Sequence, residues 1–121
     1  MKIGDYIRTD DGLIGKIVSE PYEYKDSIGH DIDFGDSNIY NEYEMYQSII
    51  KSSPNIIDLL KKKDIVIDYK GNIYQVVKVW KDYVFTDKKN EYGQVITLVD
   101  YQIKSIVTKE QFSQMEYKIG D

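Results

Sequence analysis

The chain has 121 residues and no cysteine, which excludes a disulfide framework and a thiolate metal site and allows one ordinary domain or two very small ones. Its residues are 41% hydrophobic and 31% charged, which excludes the composition of a disordered chain. Sixteen basic and 21 acidic residues give a net charge of −5, which argues against binding duplex DNA by neutralising its phosphates. The N-terminus lacks the apolar core of a signal peptide and no apolar run reaches transmembrane length, so we expect a cytoplasmic protein.

Two similar stretches align without a gap: DYIRTDDGLIGKIV begins at Asp5 and DIVIDYKGNIYQVV begins at Asp64. In each, two β-prone runs flank a polar turn that contains one glycine, Gly12 in the first and Gly71 in the second. A tight hairpin needs a positive φ at this point, and glycine adopts it without steric cost, so both stretches are predicted hairpins. The predicted strands are Tyr6–Arg8, Leu13–Val18, Ile65–Tyr69 and Ile73–Trp80.

Two segments that begin Tyr-Gln, at Tyr46 and at Tyr101, predict how each half ends. Each passes through a β-branched run to a hydroxyl residue that can cap a helix. These two residues, Ser53 and Thr108, are predicted to align when the two halves are superposed. Ser53 precedes Pro54, a residue suited to the first helical position, and Thr108 precedes Gln111 by the spacing of a capping box. We expect inward-facing side chains in both of these short helices: Ile57 and Leu60 in the first, Phe112 and Met115 in the second.

The order of hairpin, variable strands, closing strand and short helix therefore occurs twice. We predict a mostly β (α+β) fold of two tandem SH3-like small barrel units, related by internal duplication and each ending in a short helix. The predicted units are residues 1–60, with a helix at 54–60, and residues 61–121, with a helix at 109–115. Tyr46 and Tyr101 stand closer together in sequence than Asp5 and Asp64 do, so the first unit has the longer middle.

Several segments resemble a known family: MKIGDYIRTDDG at the start, IKSSPNIIDLL and KDIVIDYKG in the middle, and IKSIVTKEQFSQMEYKIG at the end. They are similar to an uncharacterised family of small bacteriophage and prophage proteins of Gram-positive bacteria. The resemblance covers about half of the chain and implies a phage accessory protein made in the host cell cytoplasm. It carries over no catalytic residue, and the stretch from Pro21 to Tyr43 departs from the pattern.

The segment Glu20–Tyr46 differs from the rest of the chain in charge and in aromatic content. It contains eight acidic residues, one lysine and five tyrosines, so its net charge is −7 while the remaining residues carry +2. Tyrosines are favoured at recognition surfaces, and acids could face a basic groove that normally holds nucleic acid. The alternative is a solvated outer face with half-buried tyrosines. The candidate partner-binding residues are Tyr22, Tyr24, Asp31, Asp33, Asp36, Tyr40, Glu42, Tyr43 and Glu44.

The sequence gives little support for a calcium-binding loop or for an enzyme active site. Asp31, Asp33 and Glu42 occupy the first, third and twelfth positions of a calcium loop, but Gly35 and Asp36 stand in the opposite order from that motif. An extended hairpin explains the same residues. The chain has a single histidine, His30, and no evident activated nucleophile. We therefore expect a non-enzymatic protein without a metal or cofactor.

Three kinds of binding function remain open. The first is an anti-CRISPR-like inhibitor that occupies a host defence effector, and the second is a sponge that sequesters a nucleotide immune signal. Such a sponge would use a pocket at the junction of the halves, for which Lys61–Lys63, Tyr69, Tyr74 and Trp80 are available. The third is a virion or assembly component. We expect a monomer or homodimer whose partner is a host protein, with no direct duplex DNA binding and no membrane.

Overall fold

The chain divides into two compact units, Met1–Leu59 (unit 1) and Leu60–Asp121 (unit 2). A computed structural model describes residues 2–24, 27–35, 39–41 and 49–115, and for residues 24, 27, 28 and 39–41 it describes the backbone alone. The described residues are mostly β, as predicted. None of the helices within these ranges is both long enough and apolar enough to cross a membrane.

The described residues of unit 1 form a five-stranded sheet and a separate hairpin. The sheet has the strand order β6-β5-β2-β1-β7, and all of its neighbouring strands are antiparallel. Strands β3 and β4 pair only with each other among the described residues. The strand bounds are β1 Tyr6–Thr9, β2 Ile14–Ile17, β3 Tyr22–Tyr24, β4 Ser27–Gly29, β5 Asp31–Asp33, β6 Ile39–Asn41 and β7 Ile49–Ser53.

The core of unit 1 lies on one face of its sheet. Ile7, Ile17 and Ile32 come from three neighbouring strands and are completely buried, and Phe34 and Ile49 pack against them. Alternate residues of a strand point to opposite faces, so each of these strands gives its isoleucine to the core and its neighbours to the other face. This alternation determines which side of β5 carries its two aspartates.

Unit 2 contains a second five-stranded antiparallel sheet, with the strand order β11-β10-β9-β8-β12. In both large sheets the first strand of the unit pairs with its hairpin partner on one side and with the last strand of the unit on the other. Among the described residues, neither sheet closes into a barrel. The strand bounds are β8 Ile65–Asp68, β9 Ile73–Trp80, β10 Tyr83–Lys89, β11 Val95–Val99 and β12 Ile103–Val107.

The first hairpins of the two units share their hydrogen bonds in the register that aligns Asp5 with Asp64. Tyr6 pairs with Lys16 as Ile65 pairs with Gln75. Five backbone bonds of unit 1 recur in unit 2. In unit 1 they are Gly4 N to Ile17 O, Asp5 N to Lys2 O, Ile17 N to Asp5 O, Thr9 N to Leu13 O and Gly12 N to Thr9 O; in unit 2 they are Lys63 N to Val76 O, Asp64 N to Lys61 O, Val76 N to Asp64 O, Asp68 N to Asn72 O and Gly71 N to Asp68 O.

The glycine turn itself is not specific to these two hairpins. Asn90 N donates to Gln94 O and Gly93 N donates to Asn90 O, so the β10–β11 connection forms the same turn a third time. In each copy the side chain of the first residue accepts a hydrogen bond from the N–H four residues later; the acceptors are Thr9, Asp68 and Asn90. The similarity between the units therefore rests on the bonds around Asp5 and Asp64 more than on the turns.

The closing strands keep the same pairing in both units but not the predicted alignment. Tyr6 lies opposite Ser53, whereas Ile65 lies opposite Val107. Because Tyr6 and Ile65 are equivalent positions, the strand pairing aligns Ser53 with Val107. The predicted partner of Ser53 is Thr108, one residue later.

Each unit has a short helix after its closing strand. In unit 1 it is a 3₁₀ helix, Ile56–Leu59, which is shorter than the predicted 54–60, and Ile57 and Leu60 are buried as expected. In unit 2 it is the α-helix α1, Lys109–Met115, as predicted. Its capping box is confirmed, since Thr108 N donates to Gln111 Oε1 at 3.0 Å and Gln111 N donates to Thr108 Oγ1 at 3.3 Å.

The predicted inward direction of two α1 side chains is wrong. Phe112 is 57% exposed and Met115 is 79% exposed, and none of the residues of α1 is buried. The reason is that the helix is attached at its first residue, where Lys109 N donates to the buried Asp64, while the apolar residues lie beyond this contact. A helical spacing of apolar residues indicates a common face but not a packing partner.

Gly71→Ala is expected to lower the free energy of unfolding by at least about 1 kcal/mol. Gly12 and Gly71 both have the predicted positive φ, +89° and +85°. A Cβ at Gly71 would have no other atom within 4 Å, so the cost comes from the backbone conformation alone. Urea denaturation measures the change, with Lys70→Ala in the same turn as the control. Equal stability of the two variants would contradict this expectation.

Candidate functional site

The best-described part of the predicted binding segment is a contact between Tyr22 and Asp31. Tyr22 lies on β3 and is 37% exposed, and its hydroxyl donates a hydrogen bond of 2.6 Å to Asp31 Oδ1. A short bond from a hydroxyl to a carboxylate is charge-assisted and holds both side chains in one arrangement. The contact joins the β3–β4 hairpin to the first residue of β5, so a tyrosine and an acid of the candidate set stand together at the surface of unit 1.

The backbone around Asp31 is fixed by the residues that follow β2. Asp31 N donates to Ser19 Oγ at 2.8 Å, and Val18 N donates to Asp31 O at 3.0 Å. His30 is buried, and its Nδ1 lies 3.1 Å from Ser19 O. These bonds make the single histidine part of this anchor.

Asp31 and Asp33 lie on the same face of β5, opposite to the buried Ile32 between them. Asp33 Oδ1 accepts a hydrogen bond of 2.8 Å from Gly35 N, and Asp33 stands directly across the ladder from Lys16. The Lys16 ammonium itself lies over the Tyr6 ring, 5.5 Å from its centre. Both aspartates therefore remain candidates for an outside partner, each with one hydrogen bond that fixes its carboxylate.

The remaining candidate residues are described in part or not at all. Tyr24 and Tyr40 lie on β3 and β6, where the structure describes only the backbone. Asp36, Glu42, Tyr43 and Glu44 lie outside the described residues. Their part in binding stays a prediction.

The predicted hairpin at the calcium-like sequence is confirmed. Asp31–Asp33 is a strand, and it pairs with Ile39–Asn41 so that Asp33 lies opposite Ile39. Within the described ranges, no group of three or more histidine, aspartate or glutamate side chains is placed to hold a metal ion.

Unit 2 has a groove of about 390 Å³ that brings together residues from distant parts of the sequence. The β8–β9 hairpin contributes Tyr69 and Tyr74, and the segment after β11 contributes Tyr101. Tyr69 and Tyr101 are 69% and 78% exposed, so the rims of the groove are aromatic and accessible. The other lining residues are Asp68, Lys70, Asn72, Ile96, Thr97, Leu98 and Gln102.

Two ionisable groups of this groove, Asp68 and Tyr74, are hydrogen-bonded to each other. Desolvation acts to raise the pKa of Asp68, but hydrogen bonds from Asn72, Tyr74 and Lys70 outweigh it and hold this pKa below its usual value. Desolvation and the neighbouring Asp68 raise the pKa of Tyr74, whose hydroxyl donates to Asp68 Oδ2 at 3.0 Å. Asp68 therefore contributes stability that is present above its unfolded pKa and is lost as the pH falls through its folded pKa. Through these hydrogen bonds the Asp68 carboxylate stabilises the β8–β9 turn.

The residues named for a nucleotide sponge do not all line the groove of unit 2. Tyr69 and Tyr74 line the groove, whereas Trp80 lies six residues beyond Tyr74 on the same strand, about 20 Å away along β9. Lys63 lies beside the middle of this strand, because its N–H donates to Val76 O. Within unit 2, these side chains do not form one small pocket.

Sequence reasoning missed Tyr101 of the groove, and it missed the Tyr22–Asp31 contact. Tyr101 approaches Tyr69 only through the strand order of unit 2, and the partners of the Tyr22–Asp31 bond are nine residues apart on different strands. Neither a short sequence motif nor a hydrophobic periodicity indicates that these residues lie close together in the fold. No protein-family model matches the chain, and neither a curated protein nor a solved structure matches it.

Proposed function

We propose that this chain is a non-enzymatic phage accessory protein that inhibits a host defence effector by binding it through the acidic surface of unit 1. The phage context comes from the sequence resemblance. The observation that carries the binding role is the contact between the exposed Tyr22 and the half-buried Asp31, within the segment of net charge −7. A tyrosine that is already held by a carboxylate loses less conformational freedom when a partner binds, so more of its contact energy appears as affinity.

The distribution of charge indicates the chemistry of the partner. Unit 1 contains five basic and twelve acidic residues, a net charge of −7, while unit 2 contains eleven basic and nine acidic residues, a net charge of +2. A negative surface attracts a positively charged groove and raises the association rate, and it repels nucleic acid itself. A host protein whose basic groove handles nucleic acid therefore fits this surface.

The test begins with a partner isolated from a host lysate and then measures binding kinetics with purified proteins. The variant Asp31→Asn, Asp33→Asn, Asp36→Asn is expected to associate about tenfold more slowly at low salt, with a weaker dependence on salt. The matched control is Glu91→Gln, Asp100→Asn, Glu110→Gln, which removes the same charge from unit 2. Equal association rates for the two triple variants would place the interface elsewhere.

The tyrosines should change a different rate constant from the acids. Tyr40→Ala or Tyr43→Ala is expected to raise the dissociation rate about tenfold and leave the association rate nearly unchanged, because central aromatic contacts hold a formed complex. A dissociation rate equal to that of the parent in both variants would remove these tyrosines from the interface.

The native mass distinguishes this proposal from the two alternatives. The inhibitor is expected as a bare monomer or dimer before its partner is added. A dimer with nucleotide-like ultraviolet absorbance would support the nucleotide sponge, and a regular ring would support an assembly role. The separation of Tyr74 from Trp80 argues against a sponge in which one unit encloses the ligand with both.

We also propose that the two units are SH3-like modules related by duplication. Support comes from their common strand pairing and from the backbone bonds that recur when Asp5 is aligned with Asp64. The groove of unit 2 supports a curled sheet, since it is lined both by the β8–β9 turn and by β11, which lies three strands from β8. Unit 1 then carries the acidic segment as its extra length.

A further inference from the structure

A β-bulge changes the direction of the side chains in the second half of β9. Lys78 lies opposite Phe85 and Val76 lies opposite Thr86, so Val77 has no partner of its own in this ladder. Before the bulge, Tyr74 and Val76 point into the core; after it, Val79 is half-buried while Lys78 and Trp80 are exposed. An extra residue in one strand has this effect because it shifts the alternation by one position.

Residues of β9, of β10 and of the turn between them form an aromatic–lysine patch, defined as Lys78, Trp80, Lys81, Tyr83 and Phe85. Tyr83 and Phe85 are half-buried, and the other three are exposed. Trp80 lies directly opposite Tyr83, and Lys78 lies opposite Phe85. The rings of Tyr83 and Phe85 contact each other edge to face, with centroids 5.4 Å apart. The core face of β10 is supplied instead by the buried residues Val84 and Thr86. The patch is therefore an aromatic surface on the face of the sheet that is opposite to Val84 and Thr86.

Two positive charges lie over the ring of the tryptophan. Lys78 Nζ is 5.1 Å and Lys81 Nζ is 5.7 Å from the centre of the Trp80 ring, and both distances are within the range of cation–π attraction. Trp80 stays 46% exposed with both lysines in place. Asp82, next to Lys81 in the turn, is the acidic residue nearest in sequence, so the turn and its flanks keep a net positive charge. A partly exposed ring with two cations over it suits a ligand whose negative charge draws the ammonium groups aside and whose flat π-face then stacks on the ring.

We propose that the aromatic–lysine patch binds single-stranded nucleic acid, with a base stacked on Trp80 and the adjoining phosphates beside Lys78 and Lys81. Proteins that bind single strands without sequence preference combine aromatic platforms with basic side chains in this way. The patch is an open sheet face rather than an enclosed pocket, so it suits a strand that crosses it better than a free nucleotide. In a duplex the bases are stacked on each other, and the ring could not reach their faces. The proposal is independent of the acidic surface of unit 1.

The experiment uses the full chain and exploits the fact that Trp80 is its single tryptophan. A thymidine oligonucleotide is titrated at low salt while the tryptophan fluorescence is recorded. Stacking is expected to give saturable quenching that added salt reverses, with much weaker effects from thymidine monophosphate and from a duplex of the same length. A strand and a free nucleotide both contain a base and a phosphate, so comparing the two shows which of them the patch binds.

Two lysine variants provide a matched pair. Lys81 has a φ of +48° and Lys63 has a φ of +79°; these are the two non-glycine residues with positive φ in the described part of the chain. Glycine at either position removes one charge and suits the backbone. Lys81→Gly is expected to weaken binding of a labelled oligonucleotide about fivefold to tenfold in fluorescence anisotropy, because a phosphate contact is lost, while Lys63→Gly changes it less than about twofold.

Several outcomes would overturn the proposal. One is an unchanged fluorescence with the oligonucleotide at low salt. Another is equal quenching by thymidine monophosphate, which would assign the patch to a free nucleotide. Equal quenching by polyglutamate would show that the patch responds to negative charge on a protein and not to bases. Equal weakening by Lys81→Gly and Lys63→Gly would move the contact away from Trp80.

Discussion

Arg8→Ala is expected to lower the free energy of unfolding by about 3 to 5 kcal/mol, the largest effect that we expect from a single substitution in unit 1. Arg8 is completely buried, and its Nη1 donates a hydrogen bond of 2.9 Å to Leu59 O, at the end of the 3₁₀ helix. Alanine would leave a cavity in place of a long side chain and would leave the Leu59 carbonyl without this donor. Both losses destabilise, and they act at the same place.

The position of Arg8 in the sheet explains why the site cannot relax easily. Ile7 and Arg8 are consecutive and both completely buried, so both faces of β1 are covered. The 3₁₀ helix covers the face that carries Arg8, since its last residue accepts the guanidinium hydrogen bond.

A matched variant separates packing from hydrogen bonding at this position. Arg8→Met keeps most of the side-chain volume and removes the donor, so its loss should be clearly smaller than that of Arg8→Ala. Chemical denaturation followed by circular dichroism gives both values. A loss below about 1 kcal/mol for Arg8→Ala would show that the guanidinium has no net stabilising role.

Asp64→Ala is expected to lower the free energy of unfolding by about 2 to 4 kcal/mol, the largest effect expected in unit 2. Asp64 is completely buried; its Oδ2 accepts a hydrogen bond of 2.7 Å from Lys61 N, and its Oδ1 accepts one of 2.9 Å from Lys109 N. The second bond joins the start of β8 to the first residue of α1, far away in the sequence. Alanine would leave two partly buried N–H groups without these acceptors and would release the start of the helix.

Unit 1 offers the control for this substitution. Asp5 occupies the equivalent place, and its Oδ2 accepts a hydrogen bond of 3.0 Å from Lys2 N, but its side chain is only half-buried. Asp5→Ala should therefore cost less, about 1 kcal/mol. Hydrogen exchange at the Lys109 amide should accelerate in Asp64→Ala and stay unchanged in Asp5→Ala. Equal losses of stability in the two variants would show that the bond to α1 is not important.

The elements that follow from local chemistry could be predicted from the sequence. Gly12 and Gly71 mark two hairpins because their turns require a positive φ, and Thr108 with Gln111 marks the start of α1 because the capping box satisfies two backbone groups locally. The common face of Asp31 and Asp33 also follows from the alternation of a strand.

Features that depend on distant partners could not be predicted in this way. Arg8 reads as a surface residue next to a turn, since its acceptor Leu59 lies at the other end of unit 1 in sequence. The bulge at Val77 cannot be recognised in the sequence, because the residues around it are all β-prone. The bulge nevertheless determines that Trp80 faces outward. Spacing alone places Phe112 in a core, without evidence of a partner for that face. Hydrophobic spacing predicts an element, and tertiary contacts decide its direction.

The pairing of the first strand with the last has a consequence for synthesis on the ribosome. In unit 1, β1 is flanked by β2 and β7, and in unit 2, β8 is flanked by β9 and β12. Until its last strand has emerged, each nascent unit presents its first strand as an unpaired edge, the kind of surface on which chains associate. In unit 1, β7 can pair with β1 as soon as Ser53 leaves the exit tunnel. In unit 2, β12 can pair with β8 only after Val107 has left it. Vectorial folding therefore leaves the second edge open later in translation than the first.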